Sequence, residues 1–565
     1  MTKTDKKPGF MGNVMIILFA QIVVKLLGII YRLVITNISG FGNQGNGYYQ
    51  AGFNIYTLLL AISSVGIPNA ISKMTSAKNA AGDYKGAHRI YKSALILFTV
   101  IGVTASALLF FGSGVLSDKV IKMKNARYVL MALAPSILFV CLSSVVRGYF
   151  VGMQNMQASS RSQILEQVFK CVLTVGIVVF MSKHTMFPDD SDMNAAMMAA
   201  GANLATTLAT VLSTIYIFGF YFRRKKGIDE KIRTSTVSSV PRPLMAMFKS
   251  ILMISIPISL GSIISAVNRI VDTATITRGI EVAFALAIPA HGKIDQILNP
   301  TITQLENEAV RLAGVLSKSD TLLNLPISMN ISFATVLVPS ISAALTRGEK
   351  KEASKFVSYS LLISLLIIMP CAAGFISLAH PIFKLLYPNA ADGWQLLQLS
   401  SIALIFIALN QTISGSLQGI GKIFAPATGL LIGCVAKFIL NTILIRQPSI
   451  NIYGAPLGSI FCQIISFAYG YTVLSRNIPV SFSAGKYILK PLGCSAVMGI
   501  AAFLIYKALF ALTASNIISV FAAIISAVII YFALIFVTHT LNREEIEMLP
   551  MGDKLYRLLS RYHLT

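Results

Sequence analysis

The sequence predicts an all-α polytopic membrane protein of about fourteen transmembrane helices: two parallel-repeat six-helix bundles around a central cavity, then two C-terminal helices. Three observations predict it. Of 565 residues, 55% are hydrophobic and only 12% charged, against about 25% charged in soluble domains, and the mean hydropathy is +0.72. The apolar residues gather in runs of about 20, the length that crosses a hydrocarbon core of roughly 30 Å with every backbone group bonded inside the helix. The two halves of the chain also echo one another. A soluble enzyme is excluded.

In chain order, residues 1–10 carry three lysines. They read as a retained cytoplasmic tail, because no small-residue cleavage pattern accompanies the first apolar run. Apolar runs then fall at 11–37, 50–72, 91–112, 127–150, 161–182 and 194–221, forming an N-terminal bundle over 11–221. A basic stretch, 222–249, opens with Arg223-Arg224-Lys225-Lys226 and reads as a cytoplasmic linker. Runs at 250–277, 322–345, 355–379, 395–417, 423–445 and 453–474 form a second bundle over 250–474. Runs at 489–510 and 514–541 lie in the final helical segment, 475–541, and 542–565 is a cytoplasmic tail. The long outer segment 278–320 contains ENEAVRLAGVL and is expected to be partly helical.

The net charge of +25 tests this topology. With the N-terminus inside, 29 of the 47 Lys and Arg fall in inner segments, 12 in outer ones and six within spans, which obeys the positive-inside tendency. The charge therefore reads as orientation and attraction to anionic membrane lipid, with no nucleic-acid partner. A basic outer run at 119–127 departs from the rule.

The repeat joins GIPNAIS (66–72) to LVPSIS (337–342), Gly148-x-x-x-Gly152 to Gly415-x-x-x-Gly419, and Lys170 to Lys437. Each match links spans six apart, so the halves share orientation, as in alternating-access transporters. Pro68 and Pro339, at matching helix ends, are candidate kinks that shape an opening.

A charge at mid-bilayer costs about 2.5–3.5 kcal/mol and needs a reason. Lys25 and Arg32, seven apart, lie along one stripe of span one. Arg147 ends span four, where snorkelling competes with a cavity role. Glu166 and Lys170 are spaced i,i+4 and predict an intrahelical pair; Lys437, the repeat counterpart of Lys170, has Gly433 where that acid would stand. Arg269 and Asp272 are spaced i,i+3, and Lys318 enters span eight from outside. Six bases against two acids suit an anion and repel a cation, which disfavours a cation-coupled drug exporter.

Six cysteines are scattered singly in apolar runs, and no phosphate-binding loop, metal-ligand cluster or nucleophile elbow occurs. The sequence thus implies a transporter without cofactor or metal. Its energy source is the membrane potential, worth about 2.3 kcal/mol per charge per 100 mV, or a coupled ion.

Four strings carry a resemblance: GIPNAISKM (66–74), APSILFVCLSSVVRGYFVGMQNMQASSRSQILEQVFK (134–170), YGAPLGSIFCQ (453–463) and LNREEIEMLPMGDKL (541–555). The chain resembles the stage V sporulation protein B and MurJ-type lipid II flippases, within the multidrug/oligosaccharidyl-lipid/polysaccharide exporter superfamily. The resemblance implies fourteen helices and movement of an undecaprenyl-pyrophosphate-linked muropeptide from the inner to the outer leaflet. It also implies a basic cavity matching Lys25, Arg32 and Lys318, and a lipid groove along spans thirteen and fourteen. Lys170, Lys437, Arg147 and Arg269 extend that pyrophosphate set on charge alone. The expected chain is a monomer in the bacterial plasma membrane. Its alternatives are a teichoic or capsular oligosaccharide flippase and a scaffold for cell-wall synthases.

Overall fold

The computed structural model describes residues 10–61, 66–185, 187–235, 243–291, 302–480 and 485–541. Among them are fifteen α-helices and no strand: α1 (Phe10–Thr36), α2 (Gly42–Ala61), α3 (Ile67–Ala80), α4 (Tyr84–Val115), α5 (Ala126–Gly152), α6 (Met156–Lys183), α7 (Ser191–Arg233), α8 (Leu244–His291), α9 (Ile302–Thr346), α10 (Lys350–Leu386), α11 (Trp394–Gly419), α12 (Ala425–Leu444), α13 (Gly454–Ser475), α14 (Lys490–Thr513) and α15 (Asn516–Val537). Eleven are long and apolar enough to cross a membrane. The molecule is an all-α, multi-pass membrane protein.

The run 50–72 covers the end of α2 and the start of α3. Pro68 sits in the first turn of α3, where a missing N–H costs nothing and the fixed φ suits helix entry. Residues 62–65, where the expected kink would separate α3 from α2, lie outside the described residues. Pro339 lies within α9, and its side chain falls outside the described residues. Within the basic stretch 222–249, α7 continues as helix through Arg223–Lys226 to Arg233, and α8 begins at Leu244. Good helix formers dominate Arg224–Arg233, and Lys231 and Arg233 complement the negative end of the helix. ENEAVRLAGVL is helical, as expected, within α9.

Two compact units result: Met1–Ser317 with Arg446–Pro448, and the remainder from Lys318. The division falls inside α9 instead of at the basic stretch, because α8 packs on α2, α3 and α4.

In the first unit α5 is the central helix, packed by α3, α4 and α7, while α1 lies on α6. Its buried residues include Tyr49, Tyr56, Val129, Leu133 and Val146. Small residues on α7, among them Ala195, Ala199 and Ala202, are buried and allow close helix approach in the absence of a hydrophobic drive between lipid-embedded helices. Asp83 caps α4 by accepting from the Gly86 N–H at 2.7 Å, and Asp190 caps α7 by accepting from the Met193 N–H at 2.9 Å.

Gly148, half of the repeated glycine motif, marks the α3–α5 crossing. A Cβ there would stand 2.7 Å from the Pro68 carbonyl oxygen and 2.9 Å from the Pro68 Cα, backbone atoms that cannot turn aside. Gly148→Leu is expected to force α3 from α5 at a cost of about 1–3 kcal/mol or more, read as a lowered thermal midpoint and reduced membrane level. Gly176→Ala, whose Cβ meets nothing within 4 Å, should leave both unchanged.

In the second unit α10 packs on α11 and α14, α12 on α13, and α14 on α15, around Leu361, Leu365, Ile413, Leu417 and Leu474. α10 bends at Leu378 (φ −111°, ψ 17°), next to the carbonyl that Pro381 leaves unbonded and crowds with its ring. The α12–α13 crossing repeats the glycine device, since a Cβ on Gly433 would stand 2.5 Å from the Cys462 carbonyl oxygen.

Candidate functional site: a cationic, aromatic-lined face in the first unit

α2 supplies the frame. Tyr49, Phe53 and Tyr56 recur at i, i+4 and i+7, one stripe of a helix; Asn46, Gln50 and Asn54 recur at i, i+4 and i+8, a second stripe. The aromatic stripe builds a box. Tyr49 stacks on Phe53 with ring centroids 5.8 Å apart, Phe53 meets Tyr56 at 5.8 Å, and the Tyr49 hydroxyl bonds that of Tyr31 on α1 at 3.0 Å. Into it α6 projects Lys170, 9% exposed, with Nζ 4.8 Å from the Phe53 centroid and 5.4 Å from that of Tyr31. Ring faces attract such a cation by about 0.5–2 kcal/mol.

The polar stripe positions the second cation. Asn46 Nδ2 donates to Thr36 Oγ1 at 2.7 Å, and Thr36 donates to the Arg32 carbonyl at 2.7 Å. Arg32 Nη1 donates to Gln50 Oε1 at 3.0 Å, while its guanidinium lies 4.7 Å over the Tyr49 ring. Gln50 in turn donates to Asn54 at 2.8 Å, and Asn54 to Thr273 of α8 at 2.9 Å. Tyr49 thus touches the settings of both cations, and neither Arg32 nor Lys170 has a carboxylate at ion-pair distance among the described residues.

Glu166 is engaged elsewhere. It binds Arg147, Nη2 to Oε2 at 2.7 Å, whose Nε also donates to Ser162 at 2.8 Å and Nη2 to Ser213 at 2.8 Å. The i,i+4 pairing with Lys170 predicted from spacing gives way to an inter-helix one, because the planar guanidinium of α5 offers the carboxylate a directed charged bond while Lys170 turns to the aromatics.

The other candidates divide by place. Lys25 is exposed on α1, and Arg269 on α8 is near enough for its charge to act on it. Arg269 and Asp272 lie on the same helix, one turn before and directly beside Thr273. Lys437, 1% exposed, lies in the second unit with its Cγ 3.4 Å from where a Cβ on Gly458 of α13 would stand. Lys318, also 1% exposed, is held within that unit: Nζ donates to the Ala390 carbonyl and, at 2.9 and 3.0 Å, to the Asp392 carbonyl and Oδ1, over the rings of Phe383 and Tyr387. Three acceptors occupy its three donors. Tyr31, Tyr49, Phe53, Tyr56 and Gln50 are members of the site that charge counting missed; for Tyr49, Phe53 and Tyr56 the i+4 and i+7 spacing was the available signal.

No group of three His, Cys, Asp or Glu side chains converges among the described residues. The face offers fixed positive charge in a half-dry setting, chemistry suited to holding an anion.

The family model described as polysaccharide biosynthesis protein matches residues 10–345. The chain belongs to that family. A second model, lipid II flippase MurJ, matches residues 283–540. The protein is 25% identical over 558 residues to stage V sporulation protein B of Bacillus subtilis (strain 168), across 97% of this chain and 99% of that one. It is 24% identical over 491 residues to lipid II flippase MurJ of the same organism, across 84% and 85%. A solved structure of lipid II flippase MurJ in an inward closed conformation superposes with a TM-score of 0.65 at 14% identity, covering 92% of this chain and 98% of that one, which establishes the shared fold. The resemblance read from four strings holds along the chain.

Proposed function

We propose that the protein is a flippase that carries the headgroup of a lipid-linked anionic cell-wall precursor, lipid II before the others, from the inner to the outer leaflet by alternating access. One observation carries the reading: Arg32 and Lys170 share an aromatic frame without a carboxylate, whereas the nearby Arg147 has one. Holding a buried Lys170 and a half-buried Arg32 in the membrane without a carboxylate costs several kcal/mol, and an anionic ligand offsets that cost. Arg32 offers a planar fork to a phosphate and Lys170 a point charge; Lys25 and Arg269 add to the field that draws the pyrophosphate in. The polyprenyl tail stays in lipid, so only the headgroup passes the charged face. Relatives named as lipid II flippase and sporulation protein support this substrate class. The exposed basic run on α7 is the face for anionic lipid, and the membrane potential or a coupled ion drives the cycle.

The test depletes the host's own lipid II flippase, expresses this protein and measures lipid II at the cell surface. Rescue of surface lipid II is the expected result. Growth without it would remove lipid II as the substrate and leave a teichoic or capsular lipid-linked oligosaccharide, which needs the same cationic face.

A further inference from the structure

Asp192, in the first turn of α7, takes no part in the face just described. Its buried carboxylate is the meeting point of four neutral side chains. Gln44 Nε2 donates to Oδ1 at 3.1 Å, the Tyr48 hydroxyl to Oδ2 at 2.7 Å and Asn125 Nδ2 to Oδ2 at 3.1 Å. The Asn307 amide, oriented to satisfy its surroundings, donates to Oδ2 at 3.1 Å. Asn307 belongs to the start of α9, and Gln44 holds that segment a second time by donating to the Asn307 carbonyl at 3.0 Å. One residue earlier, Glu306 accepts from the Lys124 N–H. Two glycines let the backbones touch here. A Cβ on Gly314 would stand 1.8 Å from the Asn43 carbonyl oxygen, and one on Gly47 2.1 Å from that of Val310.

We propose that this clasp is a protonation-sensitive latch that pins the first turns of α9 to α2, α5 and α7. Three features separate it from a static anchor. Its bonds are polar and converge on one carboxylate, so neutralising that side chain by substitution weakens all of them. It carries like charge: Asp192 on α7 and Glu281 on α8 both act on Glu306. And the segment it holds is the one from which α9 passes into the second unit, at Ser317–Lys318, so release frees a helix that both units share.

The sign of the pH dependence follows from the groups around Glu306, which precedes the apolar part of α9. Burial and the charges of Asp192 and Glu281 push its carboxyl above the usual range, against the Lys124 N–H and ammonium, which favour the ionised form. Lys122 and Arg278 face Glu281, Tyr48 faces Glu306 and Asp192, and Arg311 is occupied by Glu308 at 2.7 Å. The latched state therefore binds a proton more readily than a released one. Latching is strongest at acid pH and weakens as pH rises and Glu306 ionises.

The experiment reads release directly, without reference to any substrate. Val310, wholly buried against Gly47, is replaced by Cys in the full chain, and maleimide labelling at position 310 is followed by peptide mass spectrometry and normalised to an exposed thiol on a control peptide. Asp192→Asn is expected to raise the labelling rate at least about fivefold, with Cys141, buried in the same unit, still protected. The normalised rate should climb several-fold between about pH 5.5 and pH 8, and Glu306→Gln should flatten that climb. An unchanged rate in Asp192→Asn, equal labelling of Cys141, or a pH profile that Glu306→Gln leaves intact overturns the latch.

Discussion

Lys170→Met is expected to cut translocation of the lipid-linked precursor about 10- to 100-fold while raising the thermal stability of the protein. Both halves follow from the box. The methionine matches the lysine in length and fills the space among Tyr31, Phe53 and Tyr56 without a charge, and sulfur packs well at aromatic edges. Removing a cation that is 9% exposed and lacks a carboxylate relieves a desolvation penalty; apolar replacements of buried charges commonly stabilise by about 1–4 kcal/mol. The ring faces and the phenols near Nζ return part of that penalty, so the lower half of the range is expected here. Transport moves the other way. A charged hydrogen bond to a phosphate is worth about 1.5–3 kcal/mol, so loss of the ammonium should cut translocation about 10- to 100-fold. Surface precursor measured at matched membrane levels, beside the thermal midpoint of the purified chain, reads both. A fall in stability together with transport would make Lys170 a packing residue and remove it from the mechanism.

What was legible in the sequence was whatever one helix decides by itself. The apolar runs are set by bilayer thickness, so their order could be read directly; the close crossings at Gly148 and Gly433 could not, because Gly148 read only as part of a repeat and Gly433 only as a missing acid. Partner choice was not legible. Glu166 stands four residues before Lys170, and spacing favours that pair, yet Arg147 lies on a neighbouring helix with a better-matched fork. Lys318 looked unclaimed at the mouth of a span because Asp392, which holds it, is 74 residues away. The stripes on α2 escaped for a third reason. The apolar run was taken to begin at residue 50, so Asn46 and Tyr49 fell outside the helix whose period aligns them with Gln50, Asn54, Phe53 and Tyr56. Counting charges located the cations, and the neutral side chains that orient them required the three-dimensional fold.

Arg147→Ala is expected to destabilise the protein by about 2–4 kcal/mol, the opposite of Lys170→Met, although both substitutions delete a base from neighbouring helices of one unit. The difference lies in what is left behind. Arg147 is 13% exposed at its side chain and Glu166 27%, so deletion strands a largely dry carboxylate, a change that costs about 3–5 kcal/mol when burial is complete. Ser162 and Ser213 lose their donor at the same time. Ser213 keeps its own bond to the Ser162 carbonyl at 3.0 Å, which limits the damage to the carboxylate. Glu166→Gln in the Arg147→Ala background removes the stranded charge and should recover half or more of the loss, whereas Glu166→Gln alone should be mildly destabilising because a neutral amide replaces the anion facing Arg147. Thermal midpoints and membrane levels of the three variants close a double-mutant cycle with a coupling of about 1–3 kcal/mol. Additive losses would show that Arg147 acts independently of Glu166, and an uncoupled Arg147 would then join Arg32 and Lys170 as a third base open to the precursor's phosphates.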